Sequence, residues 1–311
     1  MKHLLRWSVA ADLAALLTLM LGSWTRINGA GLTCPDWPLC RGRLLPSFAD
    51  GTIWEWSHRL LAFSVAPLVL VLLAVAWRQR RSAGFIAPTM AVIVALFAMQ
   101  VFLGAETVRL ANTPLSVVLH WATAMALIAA LSAMAVFAAA ADAGETPARA
   151  ADARSPYGLA LVLGVTALVA FVTMCVGAFV SSSGAGLACL SIPGCAGNVV
   201  VYTPGQFVQM LHRAAAAATL IFAAADVALT WAYAASPRVR AAVLTGAGLV
   251  AVQVLLGLLN VALRLPTDLR EAHAVNAALL FLAFFLAATF AALDAAPQRR
   301  PKGFPRGAAQ R

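Results

Sequence analysis

Apolar residues run almost unbroken through eight stretches of the chain, near 8–25, 54–77, 84–105, 115–140, 157–180, 206–235, 240–263 and 271–293. At about 1.5 Å per residue, each is long enough to cross a hydrocarbon core of about 30 Å as an α-helix. Helices satisfy their own backbone polar groups, which lipid cannot do for them. The predicted fold is therefore an all-α integral membrane protein with eight transmembrane helices. Eight crossings return the chain to the side on which it starts.

Composition agrees: 62% of the 311 residues are hydrophobic and 11% are charged, which is not the balance of a soluble surface. The net charge of +10 then orients the chain rather than pointing to a nucleic-acid partner. Lys2 and Arg6 precede the first run. Arg78, Arg80 and Arg81 follow the second, Arg149 and Arg154 the fourth, and Arg238 and Arg240 flank the boundary after the sixth. The tail adds Arg299, Arg300, Lys302, Arg306 and Arg311. The opposite side carries Arg26, Arg41 and Arg43 in its first loop and no basic residue between Ser181 and Gln206. Both termini are expected to be cytoplasmic. The basic, then apolar N-terminus has the look of a signal peptide. Its end, however, has a counterpart deep inside the chain.

That counterpart belongs to a repeat. Gly29-Ala30-Gly31-Leu32-Thr33-Cys34 returns as Gly184-Ala185-Gly186-Leu187-Ala188-Cys189, and each is closed by a second cysteine, Cys40 or Cys195. His58-Arg59 returns as His212-Arg213, Gln100 and Gly104 as Gln253 and Gly257, and His120 as His273. Five features in one order at nearly constant spacing indicate a tandem duplication. The expected organisation is an N-terminal four-helix bundle over 1–141, a cytoplasmic linker over 142–156, a C-terminal four-helix bundle over 157–293 and a basic cytoplasmic tail over 294–311. Each unit has an even number of crossings, so the bundles are expected to be related by a pseudo-twofold axis along the membrane normal.

Four of the five histidines lie on even-numbered helices, near their outer ends. His58 and His120 can face each other within the first bundle, and His212 and His273 within the second. Paired imidazoles facing across a bundle suit axial coordination of a haem iron; a single one would read as an ordinary hydrogen-bonded interfacial residue. No cysteine or carboxylate cluster shares their depth to favour zinc or copper. His3 has no counterpart and reads as a cytoplasmic flank. Arg59 and Arg213 have two open roles, pairing with haem propionates or reaching out to lipid headgroups.

Glu55 precedes His58 by one helical turn, so both project from nearly the same face. The repeat replaces it with Gln209 while keeping the ligands. A site that oxidises its bound molecule must remove protons with the electrons, and a partly desolvated Glu can take them. Chemistry is therefore expected in the first half and electron transfer in the second. Cys34 with Cys40, and Cys189 with Cys195, are expected to form two short-range disulfides in outer loops, where the compartment permits them. Bracing a lid and exchanging electrons or thiols are both open as their role. Cys175 has no partner and reads as a packing residue.

Thr25-Arg26, Gly31-Leu32, Cys34-Pro35-Asp36-Trp37-Pro38-Leu39-Cys40, Glu55 with His58-Arg59, and His120, His212 and His273 together resemble the haem A synthase family. The similarity runs from about Trp7 to the eighth run. It implies an enzyme that oxidises the C8 methyl of haem O to the formyl group of haem A, for cytochrome oxidase assembly. It further implies substrate haem at His58 and His120, a resident haem b at His212 and His273, and Glu55 as the catalytic residue. The second loop lacks the Pro-Asp-Trp of the first, which leaves a shared docking role for it unsupported. Expected partners are membrane lipid, haem O with the haem O synthase that makes it, and an unidentified electron acceptor; a homo-oligomer stays open. The expected location is a prokaryotic inner cell membrane, with haem sites and Cys loops toward the outer face. The competing classes are a di-haem, quinol-oxidising electron carrier and a haem transporter or chaperone.

Overall fold

The computed structural model describes residues 1–48, 50–144, 156–195, 197 and 200–295. It is all α-helical among those residues: α1 Lys2–Ile27, α2 Thr52–Gln79, α3 Ile86–Arg109, α4 Pro114–Asp142, α5 Pro156–Ser182, α6 Pro204–Ala232, α7 Pro237–Ala262 and α8 Thr267–Ala295. All eight are long and apolar enough to cross a membrane. They match the eight apolar runs, most ends extending past the purely apolar stretch because a helix continues into the interface until a turn stops it, whereas α3 starts two residues late, α6 stops three residues early and α7 one. Thus α1 begins at Lys2 rather than near residue 8, and α8 runs to Ala295, two residues into the expected tail. The linker core 145–155 with Arg149 and Arg154, and the tail 296–311 with Arg299, Arg300, Lys302, Arg306 and Arg311, lie outside the described residues.

Local sequence sets the boundaries. Pro114, Pro204 and Pro237 occupy first-turn positions, where the missing N–H costs nothing. Thr203 caps α6 by accepting from the Gln206 N–H at 3.2 Å. At the other end of the α7–α8 pair, Asp294 accepts from Ser236 Oγ at 2.6 Å and from the Arg238 guanidinium. The turns α3–α4 and α7–α8 each place two consecutive non-glycine residues at positive φ, Ala111 with Asn112 and Arg264 with Leu265. Each such turn presses on a loop glycine. Asn112 donates to the Gly31 carbonyl at 2.9 Å, and a Cβ on Gly186 would lie 2.8 Å from Leu265.

Helices α4 and α8 are the most enclosed, with about half of their apolar windows buried. Around α4 pack α1, α3 and α5, and around α8 pack α5 and α7; α1 and α4 also touch α8. One apolar core therefore runs from Leu4, Leu72 and Ile93 through Met125 and Leu131 to Phe284. Packing is uneven at the periphery. α6 lies along α7, whereas α2 and α3 meet over only a short stretch.

Phe284 is fully buried, and its ring lies where a Cβ on Gly246 of α7 would come within 2.9 Å. Between membrane helices close approach at small residues is a main source of packing energy. Gly246→Val is expected to destabilise the protein by about 1–3 kcal/mol through overpacking, read as a lower midpoint of thermal unfolding in detergent. An unchanged midpoint would show that α7 and α8 can separate freely there.

Candidate functional site

The four repeated histidines all sit near the N-terminal ends of the even-numbered helices, at the end of the molecule that carries the cysteine loops. His58 of α2 and His120 of α4 line one cavity of about 270 Å³. His212 of α6 and His273 of α8 face each other with ring centroids 6.4 Å apart. Each ring rests against a glycine of the preceding helix. A Cβ would come within 2.6 Å of His58 from Gly22, 3.2 Å of His120 from Gly104, 2.8 Å of His212 from Gly177 and 3.4 Å of His273 from Gly257. At Gly22 and Gly177 a side chain would displace the imidazole.

The close approach has a chemical result. His58 Nδ1 lies 3.1 Å from the Thr18 carbonyl, and His212 Nδ1 lies 3.2 Å from the Thr173 carbonyl. A carbonyl oxygen only accepts, so in both rings Nδ1 carries the proton and the Nε2 lone pair is free to bind a metal. Such a hydrogen bond is the usual way to fix tautomer and ring orientation in a metal-ligating histidine. His120 and His273 keep a buried Nδ1 that makes no hydrogen bond with the protein. For the second pair the spacing is also right. Two metal–nitrogen bonds of about 2.0–2.1 Å plus roughly 1.2 Å of ring radius on each side, taken along one line, would give a centroid separation of about 6.5 Å, close to the 6.4 Å found.

Over each site lies a short disulfide loop, Cys34–Cys40 and Cys189–Cys195. All four cysteines are buried. Glu55, 4% exposed, accepts from the Cys34 N–H at 2.9 Å and from Thr33 Oγ1 at 3.1 Å, and pairs with Arg59 at 2.6 Å. Gln209, also 4% exposed, accepts from the Cys189 N–H at 2.6 Å and donates to the Gly186 carbonyl at 2.8 Å. The position thus fastens the loop to the helix in both repeats. What is special to the first is the charge, because Glu cannot donate and takes a hydroxyl and a guanidinium as partners instead.

Arg59 and Arg213 are turned into these loops. Arg59 donates to the carbonyls of Cys34, Asp36 and Leu39 as well as to Glu55. Arg213 donates to those of Cys189, Ser191, Pro193 and Gly194. Curved runs of loop carbonyls thus surround each cation. Asp36 braces the first loop from the outside. The N–H groups of Gly42 and Arg41 donate to its carboxyl and hold it below the usual carboxylate range. Cys175 is half-buried and free, and His3 is exposed at the start of α1.

With this geometry in hand, the comparison with known proteins is decisive. The COX15-CtaA family model, described as cytochrome oxidase assembly protein, matches residues 5–51 and 45–285. The chain belongs to the COX15-CtaA family. Relatives include a haem A synthase of Bacillus licheniformis, 30% identical over 300 residues, covering 92% of this chain and 95% of that one. One from Geobacillus kaustophilus is 31% identical with 90% and 89% covered. One from Shewanella oneidensis is 28% identical with 89% and 94% covered.

Four residues of this COX15-CtaA site escape a reading of titratable side chains alone: Thr18, Gly22, Thr173 and Gly177. They carry no chemistry themselves, yet they repeat in the same register as the Gly-Ala-Gly-Leu motif, and that offset was the available signal. The loop clamp is testable on its own. Arg59→Ala is expected to remove charge-assisted bonds worth about 1.5–3 kcal/mol and to raise the rate at which a water-soluble reductant opens Cys34–Cys40 roughly tenfold or more, read by thiol labelling. An unaltered rate would show that the loop closes without Arg59.

Proposed function

We propose that this protein is a haem A synthase, which oxidises a methyl group of haem O to the formyl group of haem A. The observation that carries the reading is the repeated imidazole pair, one ring of each held through Nδ1 by a main-chain carbonyl, in a chain that belongs to this family and is aligned with haem A synthases over nearly its whole length. In balance, R–CH3 and H2O give R–CHO with release of four electrons and four protons. The enzyme therefore needs a site that binds the substrate, a group that takes protons, and a route for electrons.

His58 and His120 are assigned to the substrate. Their cavity is bordered by the loosely joined α2 and α3, with Phe63 and Val101 both lining it and remaining 53% and 45% exposed. An apolar substrate bearing an isoprenoid chain can enter and leave from the bilayer on that side. Pro67, on α2, cannot donate to the Phe63 carbonyl one turn back, whereas the repeat has Ile221. The tighter α6–α7 side suits a ligand that stays. His212 and His273 are assigned to a resident haem b, which when bound supplies one-electron transfer. The fit rests on the free Nε2 of His212 and the ring spacing described above.

Glu55 is assigned to proton uptake. It lines the cavity beside His58, and Arg59 with the Cys34 N–H and Thr33 hydroxyl fixes where its oxygens lie. A base at a set distance from the reacting carbon is worth about 10²–10⁴ in rate. The same contacts tie Glu55 to the disulfide loop, so the loop is assigned as a lid that positions the carboxylate. The domain reading follows: residues 1–141 form the substrate half and 157–293 the cofactor half, related by a pseudo-twofold axis. Termini are assigned to the cytoplasm and the disulfide loops to the outer face. Two independent considerations support that, the basic residues Arg78 in the last turn of α2 and Arg80 and Arg81 after it, and the oxidising compartment that disulfides require. The relatives are bacterial, so the membrane is the cell membrane.

Because Gln209 accepts from its loop just as Glu55 does, Glu55→Gln is expected to keep the lid and the haem content while lowering haem A formation by about 10²–10⁴-fold, read by extracting haems from cells supplied with haem O. Retained synthesis would remove Glu55 from the chemistry. His212→Ala is expected to abolish the b-type absorbance of the purified protein. An unchanged spectrum would overturn the cofactor assignment.

A further inference from the structure

Among the described residues, only two cations line the first-half cavity, Arg59 and Arg26. Arg59 has committed its guanidinium to three loop carbonyls and Glu55, which leaves little for a ligand. Arg26, in the last turn of α1, is placed differently. Its Nη2 donates at 3.0 Å to Ser181 Oγ of α5, the one hydrogen bond its guanidinium makes among the described residues. A guanidinium has five N–H donors, so most of its capacity stays available at the cavity wall.

The surroundings hold Arg26 in place without using it up. Glu271 of α8 is close enough to act on its charge, and Glu271 is itself fixed by Ser23 Oγ of α1 at 2.7 Å. Arg270 of α8 adds a second positive charge nearby. Ser181 occupies, in the second repeat, the position that Arg26 has in the first. The cation is thus present on one side only, and the residue that replaces it in the repeat is the one that steers it. A partly enclosed cation at the rim of an apolar cavity, with unused donors arranged as a planar fork, matches an oxyanion and above all a carboxylate.

We propose that Arg26 binds a propionate carboxylate on the porphyrin rim of the substrate, steered by Ser181 and charge-balanced by Glu271 when the carboxylate is absent. This rests on the reading that the His58/His120 cavity takes haem O. It transfers to Arg26 the propionate role that sequence alone left open for Arg59. It also gives the two halves a physical connection, since the substrate's carboxylate would be held by a cation anchored to α5 and α8.

The test uses the full-length protein in a non-ionic detergent, titrated with ferric protoporphyrin IX and with its dimethyl ester, with His58→Ala as the blank. Wild type is expected to bind the diacid roughly ten- to hundredfold more tightly than the ester. Arg26→Gln should bring the diacid down to the level of the ester and leave the ester unchanged, and Arg26→Lys should recover part of the preference. Retention of the full preference in Arg26→Gln overturns the proposal, as does retention accompanied by loss of co-purified anionic phospholipid, which would make the partner a lipid phosphate. Binding that is indifferent to His58→Ala would instead refute the cavity assignment itself. Second-half b-type absorbance reports folding. If Arg26→Gln fails to accumulate, Ser181→Ala removes only the steering hydroxyl, with a loss of a few-fold in diacid preference expected and an unchanged preference counting against the proposal.

Discussion

The structure depends on how closely α1 approaches α2, and α5 approaches α6. Only where Gly22 and Gly177 leave no side chain can the Cε1 edge of an imidazole come up against the neighbouring helix and put Nδ1 within reach of a main-chain carbonyl. That single hydrogen bond performs two tasks. It satisfies a polar atom far from water, and it sends the free lone pair of Nε2 the other way. A residue larger than glycine at either position would cost both.

The cysteine loops extend the same logic to the mouth of each site. A loop of this length exposes several carbonyls in a small space, and a cation from the adjoining helix collects them. Arg59 and Arg213 do this in parallel, with Glu55 or Gln209 one turn earlier receiving the N–H of the first cysteine. Loop and helix are therefore one mechanical unit. Changes in the loop are transmitted to the residue one turn before the histidine without any long-range movement.

The two halves differ at three matched positions. Glu55 stands against Gln209, Arg26 against Ser181, and Pro67 against Ile221. Under the function proposed above, each difference gives the first half something an exchanged and reacting ligand requires: a proton acceptor, a cation at the rim, and a looser helix pair on the side of the bilayer. The second half keeps the imidazole pair, with His212 tethered, and gives up the rest, as the proposed resident ligand would allow.

Much of this was legible in the chain. Eight apolar runs are long enough to be read without knowing their neighbours, because in lipid the helix must close its own hydrogen bonds. The repeat made His58, His120, His212 and His273 stand out, and the spacing of Cys34 with Cys40 and Cys189 with Cys195 sufficed for the disulfides. The roles of Arg59 and Arg213 were not legible. Whether a guanidinium meets a loop carbonyl, a lipid headgroup or a ligand depends on which way a turn folds back. Nor could the asymmetry of Glu55 and Gln209 be weighed correctly, since both proved to fasten a loop and only the charge distinguishes them. The sequence by itself determined the helices, the repeat and the ligand candidates, all set by local periodicity and composition. Tertiary structure alone decided which carbonyls orient His58 and His212, and that Arg26 rather than Arg59 keeps its donors open to the cavity, because both depend on contacts between helices far apart in the chain.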